Sequence, residues 1–461
     1  MRGASLLAAG LVLAACAGAP EPMSAYPDRP DPAEAALAQK DMAYDVAESL
    51  VTEVGPRFSG SEGYRKAVEW ALLKLTVLGF ENVRAEPVTV PHWQRGEIVV
   101  EQLAPTRQRL AAVALGGSVG TPAAGIEAEV LEVSSVEALE KMPAAKVKGR
   151  IVFINGRMER TRDGMGYEKA VPARRKGPAV AGRKGARGVL IRSIGTDSGR
   201  RPHTGTTQYE ADAPKIPAAA LAATDADALE QALAKGKVRV RMAIGARQAG
   251  EAQAANVVGE IPGATPEIVL LGAHLDSWDI TPGANDDAAG VGVVIAAARR
   301  VGNADQRPRR TIRVVLFANE EYGASGARAY AQAHAAELAQ HAIVMEADSG
   351  SGAVWQLNAG VANVDWPWVI QLAQQLGIAP GVNGEDGGVD VGELRKLGVP
   401  ELIALQDASA YFDVHHTADD TVDKLDRAGL EQASGIFTAL ALAASERPEA
   451  PGRVAAVTAP K

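Results

Sequence analysis

The sequence predicts an α/β protein: a mixed, mostly parallel sheet flanked by helices, interrupted by an inserted β-rich domain. Three observations carry that expectation. From Ala255 onward, apolar runs of strand length alternate with helical segments, the pattern of a sheet with helices packed on its faces. Between about Pro105 and Gly250, short β-type runs are separated by Gly, Pro and charged turns, which marks a separate unit. The chain has 461 residues, of which 47 % are hydrophobic and 23 % charged, enough for large cores without covalent staples.

Taken in order, the chain opens on Arg2, a short apolar run from Leu6 to Leu13, and then Leu13-Ala14-Ala15-Cys16. A basic start, an apolar core and small residues at the cut form an export signal, and the run is too short to be a permanent membrane span. Leu-Ala-Ala-Cys resembles the bacterial lipobox, which makes Cys16 the lipidated first residue of the mature chain. The Pro-rich stretch from Ala17 to Asp31 reads as a tether. From Pro32 to about Leu103 the pattern is helical, then extended. Tyr64, Val68, Ala71, Leu72, Leu75 and Leu78 share one helical face, and Gly79 ends that helix. Trp70, Leu73 and Val77 form a second apolar strip, so this helix is expected to be covered on more than one side.

In the insert, Arg150 to Asn155 and Gly188 to Ile194 read as strands. In the last part, Ile268 to Gly272, Ile312 to Ala318, Ile343 to Ala347 and Leu402 to Leu405 are strands, with helices over Ala288 to Arg300 and Gly326 to Leu338. The end, from Glu446 to Lys461, is expected to be unstructured.

Charge and cysteine content exclude several functions. Lys+Arg 48 against Asp+Glu 56 gives −8, leaving no basic excess with which to release counterions from a nucleic acid. The basic stretch from Arg174 to Lys184 lacks interleaved aromatics and reads as a solvated face. With one Cys, neither an internal disulfide framework nor a thiolate zinc cage can form. Gly116-Gly117-Ser118-Val119-Gly120 fits the serine-hydrolase elbow string, but no convincing helix follows, so a plain turn is expected. No His-Glu-x-x-His segment occurs.

Ligands of open α/β sheets bind outside the carboxyl ends of the strands. Just past those ends come His274-Leu275-Asp276, Asn319-Glu320-Glu321 and Asp348. The loop after the first of these strands holds Pro282 to Asp287, and the last strand leads to Tyr411 and His415-His416-Thr417. So many carboxylates along one edge repel one another unless a cation neutralises them. His and carboxylate donors without Cys suit zinc in a catalytic role, and the number of acids supports two ions that activate water.

His274-x-Asp276, Gly283-Ala284-Asn285-Asp286-Asp287, Asn319-Glu320-Glu321, Asp348 and His416-Thr417 together resemble the five motif blocks of the di-zinc exopeptidases, a family that includes bacterial leucyl aminopeptidases and glutamate carboxypeptidases. Val54 to Ser61 is similar to that family as well. Val147 to Val152 and Ile216 to Ala219 resemble a protease-associated domain, and with Pro202-His203-Thr204-Gly205 they point to the plasma glutamate carboxypeptidase (carboxypeptidase Q) branch.

The resemblance implies a zinc-exopeptidase sheet in two parts, 32–104 and 251–445. These follow a signal peptide (1–15) and tether (16–31), enclose a protease-associated insert (105–250), and precede a flexible tail (446–461). It also implies two zinc ions. One is held by His274 and Asp348, the other by Glu321 and His416, with Asp286 bridging. Glu320 is then the general base that takes a proton from the attacking water and passes it to the leaving amine. Asp276 hydrogen-bonds the His274 ring. His416 is the ligand rather than His415 because the family ligand directly precedes Thr or Ser. A cis peptide is expected at Asp286-Asp287.

The function expected is hydrolysis of terminal peptide bonds in short peptides or dipeptides, by an exported, lipid-anchored envelope protein with no nucleic-acid partner; a homodimer is compatible with the sequence. Two alternatives remain open: a glutaminyl-cyclase-type acyltransferase and a non-catalytic binding protein on the same scaffold. For the substrate's free end, Glu385, Asp386 and Asp390 are candidate grips on an amine, and Arg395 or an arginine of the insert on a carboxylate.

Overall fold

The computed structural model describes residues 41–303, 306–385 and 387–456. Cys16, the signal and the tether lie outside the described residues, as does Asp386. Two eight-stranded sheets organise them. The first holds β1 (Glu81–Gln94), β10 (Arg247–Ile261), β11 (Thr265–His274), β12 (Arg310–Phe317), β13 (His341–Glu346), β14 (Val354–Gly360), β15 (Ala379–Asn383) and β16 (Glu401–Gln406), in the spatial order β1-β10-β12-β11-β13-β16-β14-β15. Its centre is parallel (β12, β11, β13, β16), while β1, β10 and β14 add antiparallel pairings on the flanks.

Strand parity explains why a central run such as that of β11 is continuously apolar. In β11, Val269, Leu271 and Ala273 join the core on one face, while Ile268 and Leu270 join the core on the other. A strand buried on both faces needs apolar side chains at odd and even positions alike. One face is covered by helices α1 (Met42–Glu53), α2 (Glu62–Val77), α3 (Ala289–Gly302) and α5 (Arg427–Glu446); the opposite face receives α4 (Ser325–Ala333). The long edge strand β1 carries Pro87 and Pro91, which donate no N–H and blunt an otherwise exposed edge.

Helix α2 starts where its cap allows: the Ser61 side chain accepts from the Tyr64 N–H, and Gly79, with φ 79°, follows the end. Its second apolar strip is covered only in part. Trp70 is buried, but Leu73 is 65 % exposed and Val77 74 % exposed, so the expected second cover is absent from these two positions.

The second sheet holds β2 (Ile98–Ala104), β3 (Gln108–Leu110), β4 (Ala112–Ala114), β5 (Ile126–Val133), β6 (Ile151–Ile154), β7 (Gly188–Arg192), β8 (Ala218–Leu221) and β9 (Arg239–Ile244), in the order β3-β2-β9-β5-β6-β7-β8-β4. Because β2 pairs with β3 and β9, this sheet begins at Ile98, ahead of the change of character at Pro105. Its core is continuous with the first part of the chain. Phe58 stacks on Trp278 at 5.3 Å between ring centroids, and both pack with Trp93 among side chains of the insert. Ser118 is tied to main chain, accepting from the Ala218 N–H at 2.9 Å and donating to the Val119 carbonyl, as befits a turn.

The tail after Glu446 departs from expectation. It has no regular structure over the described residues, yet it is pinned: Arg447 donates to Asp365 at 2.6 Å, the Gly452 N–H to Asp365 at 2.8 Å, and the Val454 N–H to the Gly398 carbonyl at 3.1 Å.

Candidate metal centre

Parallel strands deliver their carboxyl ends to one rim, and there the sequence places its acids and imidazoles. β11 ends at His274; β12 is followed by Glu320 and Glu321, and β13 by Asp348. The loop between β11 and α3 brings Asp286, and the loop after β16 brings His415 and His416. Asn319 (φ 66°) and His416 (φ 62°) occupy the left-handed region, which turns the chain sharply beside Glu320 and at His416 itself.

The five expected ligands converge. His274 Nε2 lies 3.1 Å from Asp286 Oδ1 and 3.4 Å from Asp348 Oδ1. His416 Nε2 lies 3.2 Å from Asp286 Oδ2 and 2.9 Å from Glu321 Oε2. Two atoms bound to one tetrahedral zinc, each at roughly 2.0–2.1 Å, are themselves about 3.3 Å apart. The donor spacings therefore match two adjoining zinc sites that share Asp286. Asp286 Oδ2 and Glu321 Oε1 are buried without a hydrogen-bond partner, as free lone pairs facing a cation would be.

The two histidines of the doublet differ in their surroundings. Asp286, His415 and His416 could together hold an ion, as could His274, Asp287 and Asp348. His415 Nε2, however, reaches only Asp286 Oδ2, at 3.6 Å, whereas His416 sits between two carboxylates. The His416 Nδ1–H also donates to the Thr204 carbonyl at 3.2 Å, the outer hydrogen bond typical of a metal-binding imidazole. Asp287 is engaged elsewhere: its oxygens accept from the His274 N–H at 3.1 Å and the Gly290 N–H at 2.9 Å. The Asp286–Asp287 peptide is cis.

One expected contact is replaced. His274 Nδ1 donates to the main-chain oxygen of Asp276 at 3.0 Å rather than to its carboxylate, which stands 3.8 Å away. That carboxylate is occupied in accepting the Glu320 N–H at 3.1 Å, so Asp276 positions both the His274 ring and the Glu320 main chain.

The electrostatics show an acid surplus. Burial, reinforced by Asp348 and Glu321, pushes Glu320 well above the usual carboxylate range, and burial with Asp286 pushes Glu321 up to about 7. Burial also disfavours charge on Asp286, but the His274 and His416 imidazoles beside it hold it well below its ordinary value. On His416 burial is outweighed by Glu321 and Asp286, which raise it to about 10. So dense a set of buried acids is the kind of surplus that divalent ions offset.

Two residues not singled out from the sequence hold the frame. Arg57, fully buried, donates to the carbonyls of Leu275 (2.7 Å), Pro282 (2.5 Å) and Gly283 (2.9 Å), tying both ligand-bearing loops together near Asp276 and Asp287. Asp420 accepts from the Asn285 N–H at 2.8 Å and the Asp286 N–H at 3.1 Å. Nothing in spacing separates Asp420 from Asp419, which pairs instead with Arg201.

Of the candidate grips on a substrate terminus, Asp390 lies close enough to the rim for the charges of Glu320, His274 and Asp276 to act on it. Glu385 accepts from Asn358 at 2.7 Å, Asp390 is buried with both carboxylate oxygens unpartnered, and Arg395 is buried with a donor toward the Ala455 carbonyl.

Comparison with known proteins follows the same lines. Residues 256–441 match the model of peptidase family M28. Carboxypeptidase Q of Mus musculus is 35 % identical over 417 residues, covering 89 % of this chain and 87 % of its own length. The chain belongs to peptidase family M28. The human carboxypeptidase Q is 34 % identical over 89 % of the chain and 86 % of its own. An M28 peptidase precursor from Shewanella amazonensis SB2B superposes with a TM-score of 0.89 at 42 % identity, covering 92 % of this chain and 97 % of the other. A zinc aminopeptidase from Bacillus subtilis shares the fold at TM-score 0.65 and 22 % identity, over 90 % and 97 % of the two chains. This M28 member is thus a metallo-exopeptidase with a mixed α/β fold.

Proposed function

We propose that this M28 peptidase is a two-zinc exopeptidase that splits dipeptides and trims single residues from short peptides. The observation that carries the reading is the convergence of His274, Asp348, Asp286, Glu321 and His416 at zinc-ligand spacing. His274 and Asp348 would hold one ion, Glu321 and His416 the other, with Asp286 shared. Bound zinc supplies a Lewis acid that polarises the scissile carbonyl and makes water acidic enough to attack at neutral pH.

The chain's own groups do the rest. Glu320 Oε accepts the proton of the attacking water and returns it to the leaving amine, a transfer its raised proton affinity suits. Asp276 holds the Glu320 main chain through the amide N–H, which fixes where that carboxylate starts. Arg57 keeps the His274 and Asp286 loops at constant separation. The cyclase and binding-protein alternatives have less support, since neither needs five intact ligands and a base.

The carboxypeptidase Q relatives favour attack at the carboxyl end. The proposed setting is the cell envelope, with the chain exported and anchored through a lipid on Cys16; that rests on the Leu13–Cys16 pattern alone. Among the described residues no helix is long and apolar enough to cross a membrane.

Hydrolysis of a dipeptide panel tests the function. Free dipeptides should be split; turnover lost on carboxyl amidation assigns carboxypeptidase polarity, and turnover lost on amino acetylation assigns the reverse. Equal cleavage of a peptide blocked at both ends would overturn the exopeptidase reading.

A further inference from the structure

His416 adopts φ 62° without being glycine, a conformation that costs energy for any residue with a β-carbon and persists only where surroundings impose it. The surroundings that impose it come from the insert. The Thr204 N–H donates to the His416 carbonyl at 3.0 Å, and the His416 ring returns a hydrogen bond to the Thr204 carbonyl at 3.2 Å. The neighbouring His203 is 1 % exposed and donates through Nδ1 to the His415 carbonyl at 2.7 Å. Its other nitrogen faces Asp197 Oδ1 at 2.7 Å, which sets the ring's orientation.

Two further residues complete the grip. Arg174 belongs to a basic stretch expected to be solvated, yet it is buried and donates to the Thr204 carbonyl at 3.2 Å and to the Tyr167 hydroxyl at 2.5 Å. The Thr206 hydroxyl donates to the main-chain oxygen of Glu321 at 2.5 Å. His416 and Glu321 are the pair assigned to one ion, and the same four-residue segment of the insert holds both backbones.

We propose that the His203–Thr206 segment of the insert positions the Glu321–His416 zinc site, with His203, oriented by Asp197, as the positioning residue that sets the His415–His416 backbone. The proposal rests on the two-zinc reading of the centre. His203 touches no ligand atom; it acts through the main chain of His415. The insert is on this account a working part of the metal centre, in addition to any role in covering it.

The test uses the full-length, zinc-loaded protein and competition with a chromophoric zinc chelator, with thermal unfolding to confirm folding. His203→Ala should weaken one of the two ions about 10–100-fold, the loss typical when an outer partner of a ligand is removed, and leave the other unchanged. Asp197→Asn, which keeps shape, should shift the same ion in the same direction by less, and it serves if His203→Ala does not fold. Arg162→Ala removes another contact between insert and remainder, the Asp407 pair, and should leave both ions at wild-type affinity. In a His416→Ala background, His203→Ala should cost nothing further, because its effect runs through His416. Wild-type zinc stoichiometry reports separately on the two-zinc reading, and the ratio of variant to wild type reports on the clamp. Folded His203→Ala and Asp197→Asn proteins that keep both ions at wild-type affinity would overturn the proposal. So would equal weakening by Arg162→Ala, or an undiminished further loss in the His416→Ala background.

Discussion

Glu320→Gln should lower kcat roughly a thousandfold, within the 10²–10⁴ range of a general base, while zinc content stays at the wild-type value. Glutamine preserves the size of the side chain and leaves the main-chain bond from Glu320 to Asp276 in place. It removes only the ability to accept a proton. Glu320 is not among the groups at ligand spacing, so metal should be retained. Steady-state kinetics and elemental analysis on one preparation check both halves. A variant with wild-type turnover would refute the assignment of the base; one that loses zinc with activity would make Glu320 a ligand instead.

Asp286→Ala should have the larger effect on the metal. Its two oxygens face opposite imidazoles, Oδ1 toward His274 and Oδ2 toward His416, so one carboxylate serves both sides of the centre. On the proposed two-zinc reading, removing it takes a ligand from each ion at once. Zinc content should fall by at least one ion per chain and activity should disappear. A ligand at a hundred times its Kd stabilises the folded state by about 2.7 kcal/mol, so wild type should show a clear rise in melting temperature on adding zinc. In Asp286→Ala that rise should be largely lost, a result that thermal unfolding with and without zinc would show.

Much of this was legible in the sequence, for identifiable reasons. The central strands are buried on both faces, so β11, β12 and β13 appear as largely apolar runs, broken in β12 by Arg313, and the residues after them fall automatically at the rim. That is why His274, Glu320, Glu321 and Asp348 could be placed from strand ends, and why family motifs extended the placement to Asp286 and His416. Features set by contacts across the fold were not legible. Leu73 and Val77 fit an apolar strip, but periodicity does not say whether a neighbour arrives to cover it. β2 lies beyond the first sheet because its partners are β3 and β9, a pairing no local pattern reports. Arg174 sits in a basic run and is nonetheless buried, because the Thr204 carbonyl and the Tyr167 hydroxyl accept its donors. The Asp276 carboxylate was expected on the His274 ring and serves the Glu320 amide, a choice of atom that residue spacing cannot make.

The most direct measurement is anomalous X-ray diffraction at the zinc edge on crystals of the zinc-loaded protein. Two peaks should stand roughly 3.5–4 Å apart, the usual separation in two-metal sites, one between His274 and Asp348 and the other between Glu321 and His416, each in contact with an Asp286 oxygen. A single peak, or peaks bound by other side chains, would contradict the account.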